Sequence, residues 1–434
     1  MRDVINLPVG DAAYLTGHDK FGDDVRVPLG RVIDPVLPLA RLKTAFRSAS
    51  GRVPVAMASP PTLSQTAPAA SGVGTSIIAG AVEKRFAANA GIAFSVHDLP
   101  GWSTLFTTGG VPYYGTRVSG TNGINEVLVA FKAEGTVFEL LDRAGGTWTI
   151  FVDGELAAAN YVLTSSSGYA TVRLGITFPA RISGQKIVCY GRSFGFCGVA
   201  HEPTGSVAPI DLDGEIRVAA LTDSYGQGTA PMLQMGPYGD AILALLSKDS
   251  IPCLSISPGG GSGYITGGTG AVTFQAAGRL DVLRQTNPDL ALFGGGLNDG
   301  TVGLQAAAAS CFAQVRAALP GAVIANIGVW TPLTSYFGSS QSKQDLLYAA
   351  LQGISGPWVN LDLTRGAWNN SSGANGRFGP APLCTGTGKV GSETGSGNSD
   401  FVTGPDGVHP SSPYGNEYYA SRIFDGLRAS ILAL

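Results

Sequence analysis

Within ten residues, Arg217-Val218-Ala219-Ala220-Leu221-Thr222-Asp223-Ser224-Tyr225-Gly226 passes from an apolar run to a polar turn and a glycine. A strand apolar on successive positions suits a sheet buried on both faces, not one with a wet side. Further short apolar runs follow at Leu290-Ala291-Leu292-Phe293, Ala322-Val323-Ile324-Ala325-Asn326-Ile327 and Trp358-Val359-Asn360-Leu361. Helix-compatible segments lie near 236–248, 302–319 and 340–353, and Tyr414 to Leu432 suits a closing helix. Strands alternating with helices predict an α/β fold, a parallel sheet covered on both faces. Such sheets place their sites at the carboxyl ends of strands, where Ser224 falls.

Four blocks carry the chemistry: Thr222-Asp223-Ser224, the glycine cluster Gly259 to Gly263, Gly296-Leu297-Asn298-Asp299, and Asp406-Gly407-Val408-His409. A serine hydroxyl is a poor nucleophile until a base takes its proton, and that base is most often an imidazole. The chain has four histidines, His18, His97, His201 and His409. His409 alone follows the last sheet strand with a carboxylate, Asp406, three residues before it, a spacing that can turn the acid onto the ring. Each block also has a plainer reading. Asp-Ser is a common helix cap, Asn-Asp-Gly a turn, and a glycine run a flexible loop. Their shared order favours a nucleophile, a base with its orienting acid, and oxyanion donors: the groups needed for acyl transfer.

Residues about 210 to 434 resemble the SGNH (GDSL-type) hydrolase superfamily. Thr222-Asp223-Ser224-Tyr225-Gly226 matches its first block, Gly260-Gly261-Ser262-Gly263-Tyr264 its second, Gly296-Leu297-Asn298-Asp299 its third and Asp406-Gly407-Val408-His409-Pro410 its last. The resemblance implies a three-layer fold with a flavodoxin-like parallel sheet. It implies that Ser224 attacks an ester carbonyl, His409 acts as base and Asp406 orients His409. The oxyanion hole would combine the Ser224 N–H, the Asn298 amide and a glycine N–H, Gly261 preferred and Gly260 the alternative. Thr222 stands where the family usually has glycine, and Tyr225 where it has leucine. Neither metal nor organic cofactor is implied.

The preceding half reads differently. Thr136 to Leu141, Trp148 to Val152, Ala170 to Leu174 and Lys186 to Tyr190 are strand-like. Arg143-Ala144-Gly145-Gly146 is a hairpin-like break, and Asp153-Gly154 makes the next turn. The expected organisation is a leader or docking segment at 1–50, a Pro/Ser/Ala/Gly linker at 51–74, a β-sandwich of jelly-roll type at 75–205 and the catalytic domain at 206–434. This module order is similar to two-domain carbohydrate esterases, which remove acetyl groups from polysaccharides. The Gly-rich stretch Gly366 to Gly404 reads as a loop bordering the cleft. Trp368, Phe378 and Trp330 are candidate rings for stacking on sugars, with packing under the loop the equal alternative.

Ile5-Asn6-Leu7-Pro8, Tyr14-Leu15-Thr16-Gly17 and Val25-Arg26-Val27-Pro28-Leu29 loosely resemble leaders of bacteriophage tail proteins. That likeness implies a virion-associated protein acting outside the cell, with a trimer as the assembly. The N-terminus has no apolar signal core, so the alternatives are a trimmed signal, retention until lysis or another exit. A net charge of −3 with 14% charged residues leaves no basic surface for nucleic acid. No apolar run is long enough to span a bilayer. Five cysteines, an odd number without metal-type spacing, predict no disulfide framework, and Cys253 and Cys311, in apolar contexts, read as buried thiols. The expectation is a serine esterase for O-acetyl or other short acyl groups on a polysaccharide. The competing readings are a lipase or arylesterase for longer chains and an inert, glycan-binding tail component.

Overall fold

A computed structural model of the chain describes residues 14–18, 24–28, 37–49, 56–65, 93–96, 103–108, 111–116, 125–143, 145–164, 171–193, 196–202, 204–208, 216–227, 236–245, 253–268, 272–364, 384–412 and 414–434. Strands β1 (Tyr14–His18) and β2 (Asp24–Pro28) pair as an antiparallel ribbon, followed by helix α1 (Leu37–Ser48). An antiparallel sheet then comprises β3 (Thr62–Ser64), β4 (Ala93–Val96), β5 (Ser103–Thr108), β6 (Val111–Thr116), β7 (Asn125–Arg143), β8 (Gly145–Val152), β9 (Glu155–Thr164), β10 (Thr171–Ser193), β11 (Phe196–His201) and β12 (Ser206–Ala208). The rest alternates: β13 (Arg217–Thr222), α2 (Ser224–Gln227), α3 (Gly236–Leu243), β14 (Cys253–Pro258), α4 (Ala277–Thr286), β15 (Leu290–Gly294), α5 (Leu304–Ala318), β16 (Val323–Ile327), α6 (Phe337–Gln352), β17 (Trp358–Leu361), α7 (Ser399–Val402) and α8 (Tyr414–Ala433).

The long strands β7 and β10 pair end to end, Asn125 opposite Ser193 and Arg143 opposite Thr171. Both are interrupted midway: Gly135 has φ +145°, and the register slips between Thr177 and Ile182 and between Ser183 and Gln185. Gly146, just past Arg143, pairs with Ser193, which lies beside Asn125. The 19 residues of β7, fully extended, would hold its ends about 60 Å apart. The ribbon must therefore fold double near Gly135. Phe131, Phe138, Trp148, Ile176 and Ile187 fill one core drawn from both limbs.

The hairpin expected across Arg143-Ala144-Gly145-Gly146 does not form, because β10 lies between β7 and β8 in the sheet. The break instead carries the chain from one limb to the other. Asp153-Gly154 does close a tight β8–β9 turn, with both residues at positive φ (47° and 87°). Leu63, inside the stretch read as linker, pairs with Ile176 of β10.

The parallel sheet has the order β14-β13-β15-β16-β17. Alternate residues of each strand supply opposite faces. Val218, Ala220, Leu290 and Leu292 pack with α1, α3 and α8, through Leu42, Phe46, Ile242, Phe424 and Leu427. Ala219, Leu221, Ala291 and Phe293 pack with α4, α5 and α6, through Leu283, Phe312 and Leu347. Three layers result, as both-face burial of the strands requires. Helix α1, within the segment expected to be a leader, joins this core: its Phe46 ring lies 5.7 Å from that of Phe424 in α8. Phe151 of β8 and Val188 of β10 belong to the same apolar cluster, so the antiparallel sheet is continuous with it. Strand β14 and helix α4 were not anticipated. Cys189, Cys311 and Cys384 are buried free thiols. No helix among the described residues is long and apolar enough to cross a membrane.

Candidate active site

Strand order reverses between β13 and β15, and in open parallel sheets the crevice for ligands opens at that switch point, outside the carboxyl ends. Thr222, the last residue of β13, registers with Pro258 of β14 on one side and Gly294 of β15 on the other. The turn bearing Ser224, the glycine loop and the Asn298 turn therefore leave three neighbouring strands at the same end. The Asp223 N–H donates to the Gly294 carbonyl at 3.1 Å. The Asp223 carboxylate accepts the Tyr225 N–H at 3.0 Å, which closes the turn and starts α2.

The structure brings Ser224, His409 and Asp406 into one hydrogen-bonded line. His409 Nε2 lies 2.9 Å from Ser224 Oγ, and His409 Nδ1 lies 2.6 Å from Asp406 Oδ2. With the proton on Nδ1, the ring donates to the carboxylate and presents its Nε2 lone pair to the serine hydroxyl. The other carboxylate oxygen accepts the N–H groups of Val408 (2.9 Å) and His409 (3.0 Å). That tight turn needs Gly407 at φ +76°, a left-handed conformation natural to glycine. The Gly404 N–H donates to the His409 carbonyl at 2.7 Å, and Thr403 bridges to Pro410, so the loop is braced at its base. Burial acts to raise Asp406, but hydrogen bonds from the His409 ring and from the Val408 and His409 N–H groups outweigh it and hold the carboxyl below its ordinary value. The imidazole side chain is 17% exposed and the Asp406 side chain 42%, so the line opens to solvent at the surface.

Tyr225, where leucine is the usual residue of the resembled family, anchors this loop from below. Its hydroxyl donates to the Val408 carbonyl at 2.5 Å, and its ring lies 5.3 Å from the imidazole. Thr222 is accommodated because Gly226 has no side chain: a Cβ at 226 would overlap the Thr222 hydroxyl. That hydroxyl is buried without a hydrogen-bond partner among the described residues.

The glycine loop and the Asn298 turn are locked together. The Asn298 side-chain amide donates to the Ser262 carbonyl at 3.0 Å. Asp299, 2% exposed, accepts the N–H groups of Tyr264, Ile265 and Thr266, each at 2.9 Å. Gly263 packs so closely on that carboxylate that any Cβ would collide with it. Gly261 takes φ +70°, and neither its N–H nor that of Gly260 has an acceptor among the described residues. Asp223 is 1% exposed. Desolvation pushes its carboxyl up to about 7, against the Tyr225 N–H and the Arg279 charge, which pull it down.

Other sequence candidates lie elsewhere. Trp330 is 3% exposed, with its ring 3.8 Å from that of Tyr419, so it packs and does not offer a face to a sugar. His201 is part-buried, its Nδ1 2.8 Å from the Glu202 carbonyl. His97, Trp368 and Phe378 lie outside the described residues, and of the stretch 366–404 only residues from 384 onward are described. That part holds the one-turn helix α7 and a dense set of Thr, Ser and Asp400 hydrogen bonds. Among the described residues, no group of three or more His, Cys, Asp or Glu could hold a metal. Sequence reasoning missed Arg279. Its one signal was spacing: it stands four residues before Leu283, on the buried side of α4.

No protein-family model matches the sequence, and no curated protein matches it. Solved structures do resemble it in layout. A salicylyl-acyltransferase from a tetracycline biosynthetic pathway is 14% identical, with 78% of this chain and 94% of that chain covered, at a TM-score of 0.48. A family two carbohydrate esterase from Clostridium thermocellum is 14% identical, with 80% and 98% covered, at 0.47. A protein described as a GDSL-like lipase from Bacteroides ovatus is 11% identical, with 71% and 85% covered, at 0.46. Likeness at this level concerns general layout and carries nothing about chemistry.

Proposed function

We propose that the protein is a serine esterase working through an acyl-enzyme. The observation that carries this reading is the unbroken line Ser224 Oγ, His409 Nε2, His409 Nδ1, Asp406 Oδ2 at 2.9 and 2.6 Å. Ser224 Oγ attacks the ester carbonyl while His409 Nε2 takes its proton. Charge then develops on the carbonyl oxygen. The Ser224 N–H, the Gly261 N–H and the second amide hydrogen of Asn298 are the donors assigned to it. His409 returns the proton to the leaving alcohol. Water, deprotonated by the same nitrogen, then releases the acid and restores the hydroxyl. Asp406, kept anionic by its donors, holds the ring in the tautomer this sequence requires.

Within this reading the substrate is an O-acetyl or other short acyl ester on a polysaccharide. The similarity of module order to two-domain carbohydrate esterases supports it. The doubled antiparallel sheet is then a jelly-roll accessory domain drawn mainly from 75–205, with β3 and β12 joined at its edges, ahead of a catalytic domain at 206–434. The N-terminal likeness to tail proteins supports a virion-associated enzyme, trimeric and acting outside the cell. Hydrolysis of p-nitrophenyl acetate, butyrate and octanoate by the wild type and by Ser224→Ala tests the core of the proposal. Acetate-selective turnover that vanishes in the variant is the expected result. Turnover unchanged in Ser224→Ala would refute the mechanism, and preference for octanoate would refute the substrate class.

A further inference from the structure

Arg279 lies on α4, away from Ser224 in sequence, yet it is 3% exposed and faces the site's foundations. Its Nη2 donates to the Thr222 carbonyl at 2.7 Å. Its Nη1 donates to Ser262 Oγ at 2.7 Å and to the Val272 carbonyl at 3.0 Å. The guanidinium sits 4.7 Å from the centroid of the Phe274 ring, which fixes its plane. Thr222 ends the strand that presents Ser224. Ser262 belongs to the glycine loop, and its hydroxyl donates onward to the Gly259 carbonyl at 2.6 Å. The Ser262 N–H donates to the same carbonyl at 3.0 Å.

Ser262 is thus gripped at both ends, by Arg279 through its hydroxyl and by Asn298 through its carbonyl. The peptide between Gly261 and Ser262 has little freedom left. Gly259 has no room for a side chain, since a Cβ would lie 2.6 Å from Ser262 Oγ and 2.9 Å from Arg279 Nη1. Gly268 closes the other flank, where a Cβ would strike the Gly260 carbonyl.

We infer that Arg279 is a positioning residue for the esterase reaction, a buried strut that sets the glycine-loop N–H at a fixed distance from the Ser224 nucleophile. The inference rests on the reading of the site given above. Only a planar, forked donor reaches both Thr222 and Ser262 at once; an ammonium on a flexible stem cannot replace it. A displacement of about 1 Å in a reacting geometry costs about a hundredfold in rate. The loss should fall on the transition state, because the ground-state ester makes no use of the oxyanion donors.

The test compares Arg279→Lys, Ser262→Ala and their combination with the wild type, using p-nitrophenyl acetate turnover, inhibition by phenylboronic acid as a tetrahedral mimic, and thermal melting. Arg279→Lys should lower kcat about a hundredfold with KM within threefold, and raise the boronate inhibition constant in parallel. Ser262→Ala should lower kcat about tenfold, and the double variant should be no slower than Arg279→Lys, because both act along one path. A folded Arg279→Lys with kcat within threefold of wild type, or losses that simply multiply in the double variant, would overturn the inference. If Arg279→Lys does not fold, Ser262→Ala decides, and an unchanged kcat there overturns it. Absence of wild-type turnover sinks the esterase reading and this inference with it, which separates that failure from the others.

Discussion

Asp406→Asn changes one atom's chemistry in a group that accepts three hydrogen bonds. Oδ1 takes the N–H groups of Val408 and His409 at 2.9 and 3.0 Å, and Oδ2 takes the His409 ring proton at 2.6 Å. An asparagine keeps an oxygen for the two backbone donors, so the turn at Gly407 survives and the melting temperature should move little. The second position becomes NH2, a donor facing Nδ1. The ring then accepts at Nδ1 and carries its proton on Nε2, pointing it at Ser224 Oγ. In that tautomer His409 has no lone pair with which to take the serine proton. Loss of the correct tautomer costs about 10⁴-fold in kcat in a triad of this type, or about 5 kcal/mol at 1.36 kcal/mol per decade. The assay is p-nitrophenyl acetate hydrolysis at neutral pH, with circular dichroism and melting as controls for folding. Activity within tenfold of wild type in a folded Asp406→Asn protein would refute the claim that this carboxylate sets the ring.

Asn298→Ala should cost about 10² to 10³-fold in kcat, with KM little changed; a loss confined to KM would assign the amide to substrate binding instead. Gly226→Ala should destabilise the fold by about 1–3 kcal/mol through overlap with Thr222, and Thr222→Gly in the same chain should restore the melting temperature; no rescue would show that the contact is not the cause. Asp223, raised to about 7 in the fold from the ordinary 3.8, stays protonated there between those values while the unfolded chain ionises. Stability contributed by this group is therefore complete below about pH 4 and lost as pH rises to about 7. In urea titrations at pH 4 and 7, Asp223→Asn should flatten that fall; an unchanged slope would assign it to other groups.

The sheet and the four blocks were legible because their signals are local. Fully apolar strands such as Leu290–Gly294 announce two-sided burial, and Asp406-Gly407-Val408-His409 writes its turn into adjacent residues. Strand β14 was not legible: Cys253-Leu254-Ser255-Ile256-Ser257-Pro258 interleaves serines and ends in proline, which imitates a loop. Helix α4 was masked by Gly278 and by arginines at 279 and 284 that read as surface charge. The pairing of β8 with β10 was out of reach, because the sequence break at Arg143 to Gly146 is the same whether the chain turns back beside its neighbour or crosses a fold. Trp330 shows the same limit, since an indole after a sheet strand reads alike whether it packs under Tyr419 or faces a ligand. Arg279 was missed for a physical reason too. Its partners are carbonyls and a hydroxyl far away in sequence, and no local pattern encodes them.

The contact of Phe46 with Phe424 joins a helix near one end of the chain to the helix at the other. During synthesis all five parallel strands have been made once Leu361 has emerged, but the face that α1 and α3 partly cover stays incomplete until α8 follows. Until then the part of that face that Phe424 and Leu427 will cover stays open to water, a window in which apolar surface invites holdases or misassociation. For the same reason a fragment beginning near residue 206 would be an incomplete fold. It would retain Ser224, His409 and Asp406 but lack Leu42 and Phe46, leaving an apolar scar on α8. A trimmed version intended for activity work should therefore carry α1 along, grafted or co-expressed, if it is to remain monodisperse.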